Sequence, residues 1–135
     1  MTKLEAKVRR ARRIFIIGNG GSYANAVHLC NDFLGAGKPA FILDPATLTA
    51  TANDFSYREV FARWILTVGE PKDLLIALSG SGTSRNIQAG LRAAKRKGME
   101  THLFTDFHSS LDMQASEEAQ LLAGHSLMRS LRAKR

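Results

Sequence analysis

The chain has 135 residues, 44% hydrophobic and 23% charged, which fits one domain of ordinary size and excludes wholesale disorder. Its apolar runs fall far short of the roughly 20 residues of a membrane-spanning helix, and its basic start lacks the apolar stretch of a secretory signal. A single cysteine, Cys30, excludes an intrachain disulfide and a cysteine-based zinc cage, so a cytosolic (cytoplasmic) protein is the simplest expectation. The formal net charge is +7, yet ten of the nineteen basic residues sit in the first thirteen and last seven positions. From Ile14 to Met128 there are 9 basic and 11 acidic residues, so the body is not basic. The basic ends read as solvated helix faces; with no aromatic residues among them, nucleic acid is not the expected partner.

Residues 3–12 predict a short helix with Leu4, Val8 and Ala11 on one face. Arg13–Gly18 predicts a strand buried on both faces, because Ile14 to Ile17 is continuously apolar. Gly18–Ser22 is a turn. Ser22–Phe33 predicts a helix with Ala26, Val27, Cys30, Phe33 and Leu34 inward, ended by Gly35 and Gly37. Pro39–Asp44 is a second strand. Thr47–Ala52 fits helix or loop. Arg58–Val68 predicts a helix stopped by Pro71 and Asp73. Leu74–Leu78 is a third buried strand, followed by the turn Ser79–Ser84. Asn86–Lys97 is an amphipathic helix, Glu100–Asp106 a fourth strand, Phe107–Gln114 a loop, and Ser116–Arg132 a last helix capped by Ser116. Strands alternating with helices predict an α/β domain with a parallel sheet, and the whole of 1–135 reads as one domain.

Two turns follow buried strands and open helices: Gly18-Asn19-Gly20-Gly21-Ser22 and Ser79-Gly80-Ser81-Gly82-Thr83-Ser84. In an open parallel sheet, ligands bind beyond the carboxyl ends of the strands. Helix N-termini there favour anions, and hydroxyls add donors. Neither turn fits the P-loop or dinucleotide pattern, so hydroxyls and amides would do the binding. The rival reading is a pair of tight turns with capping serines.

Ile17–Ser22 with Asn25, Ala26 and His28 resembles the start of a sugar isomerase (SIS) domain. Asn53-Asp54-Phe55, Val60–Arg63, Gly69–Asp73 and Leu78–Asn86 extend the likeness toward the phosphoheptose isomerases, over about Arg13 to Asp106. The resemblance implies a flavodoxin-like three-layer sandwich, shortened here at both ends, and a homotetramer with sites at subunit interfaces. It implies that Ser79, Gly80, Ser81, Thr83 and Ser84 grip a sugar phosphate. By the same likeness Asn19, Gly20, Gly21, Ser22, Asn53 and Asp54 contact the sugar.

The resemblance further implies an aldose–ketose isomerisation through an enediolate, of sedoheptulose 7-phosphate. Such chemistry needs a base near the reacting carbons and an acid at the oxygens. The family places a glutamate four residues after the first histidine; here His28 is followed by Asp32, one methylene shorter. Asp32 is the expected base and His125 the expected acid. Glu117 stands where the family has a substrate-binding glutamine. No cofactor is required for this chemistry. Some members hold zinc, and His28, Asp32, Glu117 and His125 are the corresponding ligand set. His102 and His108 carry no assigned role. Two rivals remain in the same family: a phosphosugar-binding module without catalysis, and a regulator that binds another protein, such as a replication initiator, through the basic ends.

Overall fold

The computed structural model describes residues 1–105 and 112–133. The elements run α1 (Lys3–Arg10), β1 (Ile14–Gly18), α2 (Gly21–Gly35), β2 (Ala40–Ile42), α3 (Pro45–Asp54), a 3-10 turn (Tyr57–Glu59), α4 (Val60–Val68), β3 (Leu74–Ser79), α5 (Arg85–Arg96), β4 (Glu100–Thr105) and α6 (Met113–Ala133). The four strands form one sheet in the order β2-β1-β3-β4, and every pairing is parallel. Gly18 pairs in register with Leu78, so the turns after β1 and β3 leave the sheet side by side at its carboxyl end.

Strand alternation divides the core in two. Ile14, Ile16, Leu74, Ile76 and Leu78 face α1, α2 and α6, where they meet Leu4, Val8, Phe33 and Met128. Phe15, Ile17, Leu75 and Ala77 face the other way, against Phe61, Ile65, Ile87 and Ala94. The expected three-layer α/β sandwich is therefore present. The strands bury both faces, which is why they read as unbroken apolar runs.

Several boundaries and faces differ from expectation. The ambiguous segment at Thr47–Ala52 is helical and belongs to α3. Asp44 caps it, accepting the Thr47 N–H at 2.9 Å and the Thr47 hydroxyl at 2.7 Å, and Pro45 supplies the first turn. On α2, Val27 and Leu34 point outward, while Ala26, Leu29, Cys30 and Phe33 are buried. Residues 27 and 34 are seven apart and lie on the stripe beside the packed face. Ser116 does not cap the last helix. That helix starts three residues earlier, and the Asp112 carboxylate accepts the Ala115 N–H at 2.8 Å. The expected end of the fourth strand at Asp106 and the loop residues up to 111 lie outside the described residues.

The basic start is not a loose solvated face. Arg9 pairs with Glu5, Arg10 with Glu100, Arg12 with Glu70 and Arg13 with Asp73. The Lys7 ammonium donates to the Thr101 carbonyl at 2.6 Å. Glu70, Asp73 and Glu100 stand at the entry ends of β3 and β4, and the N-terminal cations gather on them. This cluster fastens α1 to the sheet.

Candidate active site

The two turns are locked to each other. The Asn19 and Asn86 carboxamides exchange hydrogen bonds of 2.9 and 2.8 Å, and the Asn86 oxygen also accepts the Ile87 N–H at 2.9 Å. The Tyr57 hydroxyl donates to the Asn19 oxygen at 2.9 Å. Asn19, expected to touch a sugar, thus spends its side chain on holding three segments together. Asn86 and Tyr57 were not among the expected site residues. The sequence signal for Asn86 was its place directly after the serine-rich turn; its burial, which makes a partner necessary, is seen only in the structure.

Within the second turn, Ser79 is buried and its hydroxyl accepts the Gly82 N–H at 3.0 Å, while the Ser81 hydroxyl accepts the Thr83 N–H at 3.2 Å. Gln88 closes the loop by donating to the Gly82 carbonyl at 2.6 Å. Gly82 takes a φ of +70°, which only glycine adopts cheaply, and this permits the sharp reversal of the turn. Ser84 precedes α5 without capping it through its side chain. The turn lies under α6: any side chain at Gly80 would meet the Ser116 hydroxyl.

The first turn opens α2 at Gly20, whose φ is +55°. Any side chain at Gly21 would collide with the Glu117 carboxylate, which therefore stands over the positive end of α2. Ser22 does not face the cleft. It is buried, and its hydroxyl accepts the Gln120 amide at 3.1 Å, tying α2 to α6. Asn25 continues this seam, donating to the Glu117 carbonyl at 2.8 Å and to Gln120 at 3.1 Å. Asn53 and Asp54 are exposed at the end of α3 and bond to each other at 3.1 Å. Tyr57 ties their corner of the chain to the first turn.

Farther along the α2–α6 seam stand His28, Asp32 and His125. Their ligand atoms lie within 4.8 Å of one another. The two Nε2 atoms are 2.9 Å apart, a contact that requires a proton on one of them. The Asp32 Oδ2 oxygen sits 3.5 Å from His28 Nε2 and 3.7 Å from His125 Nε2. It is buried and has no hydrogen-bond partner among the described residues. A small cavity lined by these three residues, Leu78 and Gln120 opens beside it. Asp32 and His125, from helices 93 positions apart in sequence, are thus brought together as expected. Glu117 is not with them. It lies eight residues before His125, about 12 Å along the helix, so it reaches the first turn instead.

The SIS domain model matches residues 2–105, well over half of the chain. The chain belongs to the SIS domain family. This SIS domain is 41% identical over 101 residues to a phosphoheptose isomerase of Thermodesulfovibrio yellowstonii, covering 69% of this chain and 50% of that protein. It is 41% identical over 105 residues to the phosphoheptose isomerase of a Roseiflexus species, covering 72% and 53%. The SIS domain thus spans about half the length of the curated relatives it matches. Its fold superposes on the structure of phosphoheptose isomerase from Neisseria gonorrhoeae with a TM-score of 0.87, at 23% identity, over 96% of this chain and 81% of that one.

Proposed function

We propose that this SIS domain, a single unit over residues 1–135, is a sugar-phosphate aldose–ketose isomerase acting on sedoheptulose 7-phosphate. The observation that carries the reading is the buried Asp32 oxygen, unpartnered among the described residues, that faces the paired His28 and His125 nitrogens. The likeness to phosphoheptose isomerases supports the substrate class.

In this reading Ser79, Ser81, Thr83 and Ser84 receive the phosphate with the amides of Gly80 and its neighbours. Gly20 and Gly21 line the sugar, and Asn53 and Asp54 meet its hydroxyls. Asp32 takes the proton from C1 of the ketose. His125 gives its Nε2 proton to the C2 carbonyl oxygen, which yields an enediol. Asp32 then returns the carbon proton at C2, and His125 takes the O1 proton as the aldehyde forms, which restores both groups. Among the described residues no donor reaches the Asp32 Oδ2 oxygen, which suits a base.

The isomerisation needs no cofactor. Two imidazoles and a carboxylate are also a donor set that zinc accepts, and the orphaned Asp32 oxygen fits that use. His28, Asp32 and His125 would hold the ion, which when bound polarises the substrate oxygens. Glu117 is left out of the set.

A homotetramer fits the exposed apolar stripe of Val27 (41%) and Leu34 (55%) on α2, with Leu122 (67%) on α6. No helix among the described residues is long and apolar enough to cross a membrane. A cytoplasmic enzyme is the reading we adopt.

The second reading is a phosphosugar-binding module without turnover. The short reach of Asp32 and the separation of Glu117 from the histidines favour it. An assay with sedoheptulose 7-phosphate, with and without zinc, separates the two. Turnover is expected. Absence of turnover with a ligand-raised melting temperature would instead leave binding alone.

A further inference from the structure

Next to the hydroxyl turn lies a cleft of about 310 Å³ lined by Arg58, Thr83, Arg85, Gln88 and Arg92. Arg58 comes from the 3-10 turn. Arg85 and Arg92 stand seven residues apart, two turns along one face of α5. All three arginines are exposed, and among the described residues none has an ion-pair partner. Arg9, Arg10, Arg12, Arg13 and Arg63 all have one. The carboxylates nearest in sequence are engaged: Asp54 with Asn53, and Glu59 with Arg63. Three like charges around one concavity repel each other until an anion enters. The guanidinium fork suits a phosphoryl group, which it can bind through two oxygens. Thr83 belongs to both turn and cleft, and Gln88 bonds the turn from the cleft side at 2.6 Å. The cleft is therefore continuous with the hydroxyl turn.

We infer that this arginine cleft is a second phosphoryl subsite, and that the chain accepts a ligand class carrying two phosphoryl groups. The second group belongs either to the molecule seated on the hydroxyl turn or to a separate polyphosphate. The inference rests on reading Ser79–Ser84 as the first phosphate site.

The test is calorimetric titration of the full chain at constant ionic strength, with inorganic phosphate, inorganic pyrophosphate and sedoheptulose 7-phosphate as probes. The wild type is compared with Arg85→Gln/Arg92→Gln. Pyrophosphate should bind the wild type at least about tenfold more tightly than phosphate. The double variant should lose that preference, keep its melting temperature, and hold sedoheptulose 7-phosphate within about twofold of the wild type. Equal pyrophosphate affinity in both proteins, or no preference over phosphate in the wild type, would overturn the inference. Failure of sedoheptulose 7-phosphate to bind, with arginine-dependent pyrophosphate binding intact, would remove the first-site reading and keep the cleft. Titrating pyrophosphate into protein saturated with sedoheptulose 7-phosphate distinguishes the sources. Retained binding identifies a separate anion, and competition identifies one ligand spanning both sites.

Discussion

In the proposed isomerisation Asp32 is the base. Its Oδ2 oxygen is buried, lies within 3.7 Å of two imidazole nitrogens, and has no hydrogen-bond donor among the described residues. Replacing it with asparagine keeps the shape and removes the base, so Asp32→Asn should lower kcat by about 10²- to 10⁴-fold with little change in KM. Steady-state kinetics on the folded variant checks this. A second residue-scale expectation concerns His102, to which the sequence assigns no role. Burial, with the Lys7 charge adding to it, holds its pKa below the ordinary histidine value. The folded state therefore keeps His102 neutral while the unfolded chain takes up a proton. Stability should fall as pH drops below about 6.5, the unfolded value, and continue to fall toward the lower folded value. His102→Gln should flatten that decline in melting temperature between pH 7.5 and 5.5.

At the scale of elements, the site depends on two turns acting as one. The reciprocal Asn19–Asn86 pair joins the exit of β1 to the start of α5. Asn86→Ala leaves the Asn19 carboxamide short of partners in a partly buried place, and should cost about 1–3 kcal/mol. It should also raise KM, because the serine turn loses its fixed position. Urea denaturation and substrate titration read the two effects separately. The entry to β1 is held by a pair of a buried carboxylate and a partly buried guanidinium. Asp73 is 1% exposed and accepts from Arg13 at 2.6 and 3.1 Å and from the Glu70 N–H at 2.9 Å. Its removal leaves the partly buried Arg13 guanidinium only the Val68 carbonyl and the more distant Glu70, so Asp73→Ala should destabilise the chain by about 3 kcal/mol in the same denaturation experiment. These pairings explain why the N-terminal cations looked solvated in the sequence. Apart from Glu5, four positions from Arg9, their carboxylate partners lie 58 to 90 positions away. Local pattern does not reveal them.

For the whole molecule, the sheet and its layering were legible because Ile14–Ile17 and Leu74–Leu78 announce strands buried on both faces. The two turns were legible because glycine and serine cluster only where a strand hands over to a helix. What stayed hidden was set by distant packing. Ser22 looked like a cleft residue until Gln120 claimed it. Glu117 looked like a metal ligand until α6 was laid along α2 and its carboxylate fell on Gly21. The pairing of Asp32 with His125 was inferred through resemblance, since no local spacing links them. The central claim is that this assembled pair moves a proton between neighbouring carbons of a sugar phosphate. The measurement that tests it most directly is deuterium exchange into sedoheptulose 7-phosphate in heavy water, followed by NMR. Wild type should incorporate deuterium at the reacting carbon, and Asp32→Asn and His125→Ala should each suppress it. Exchange that is absent from the wild type, or undiminished in both variants, would contradict the claim.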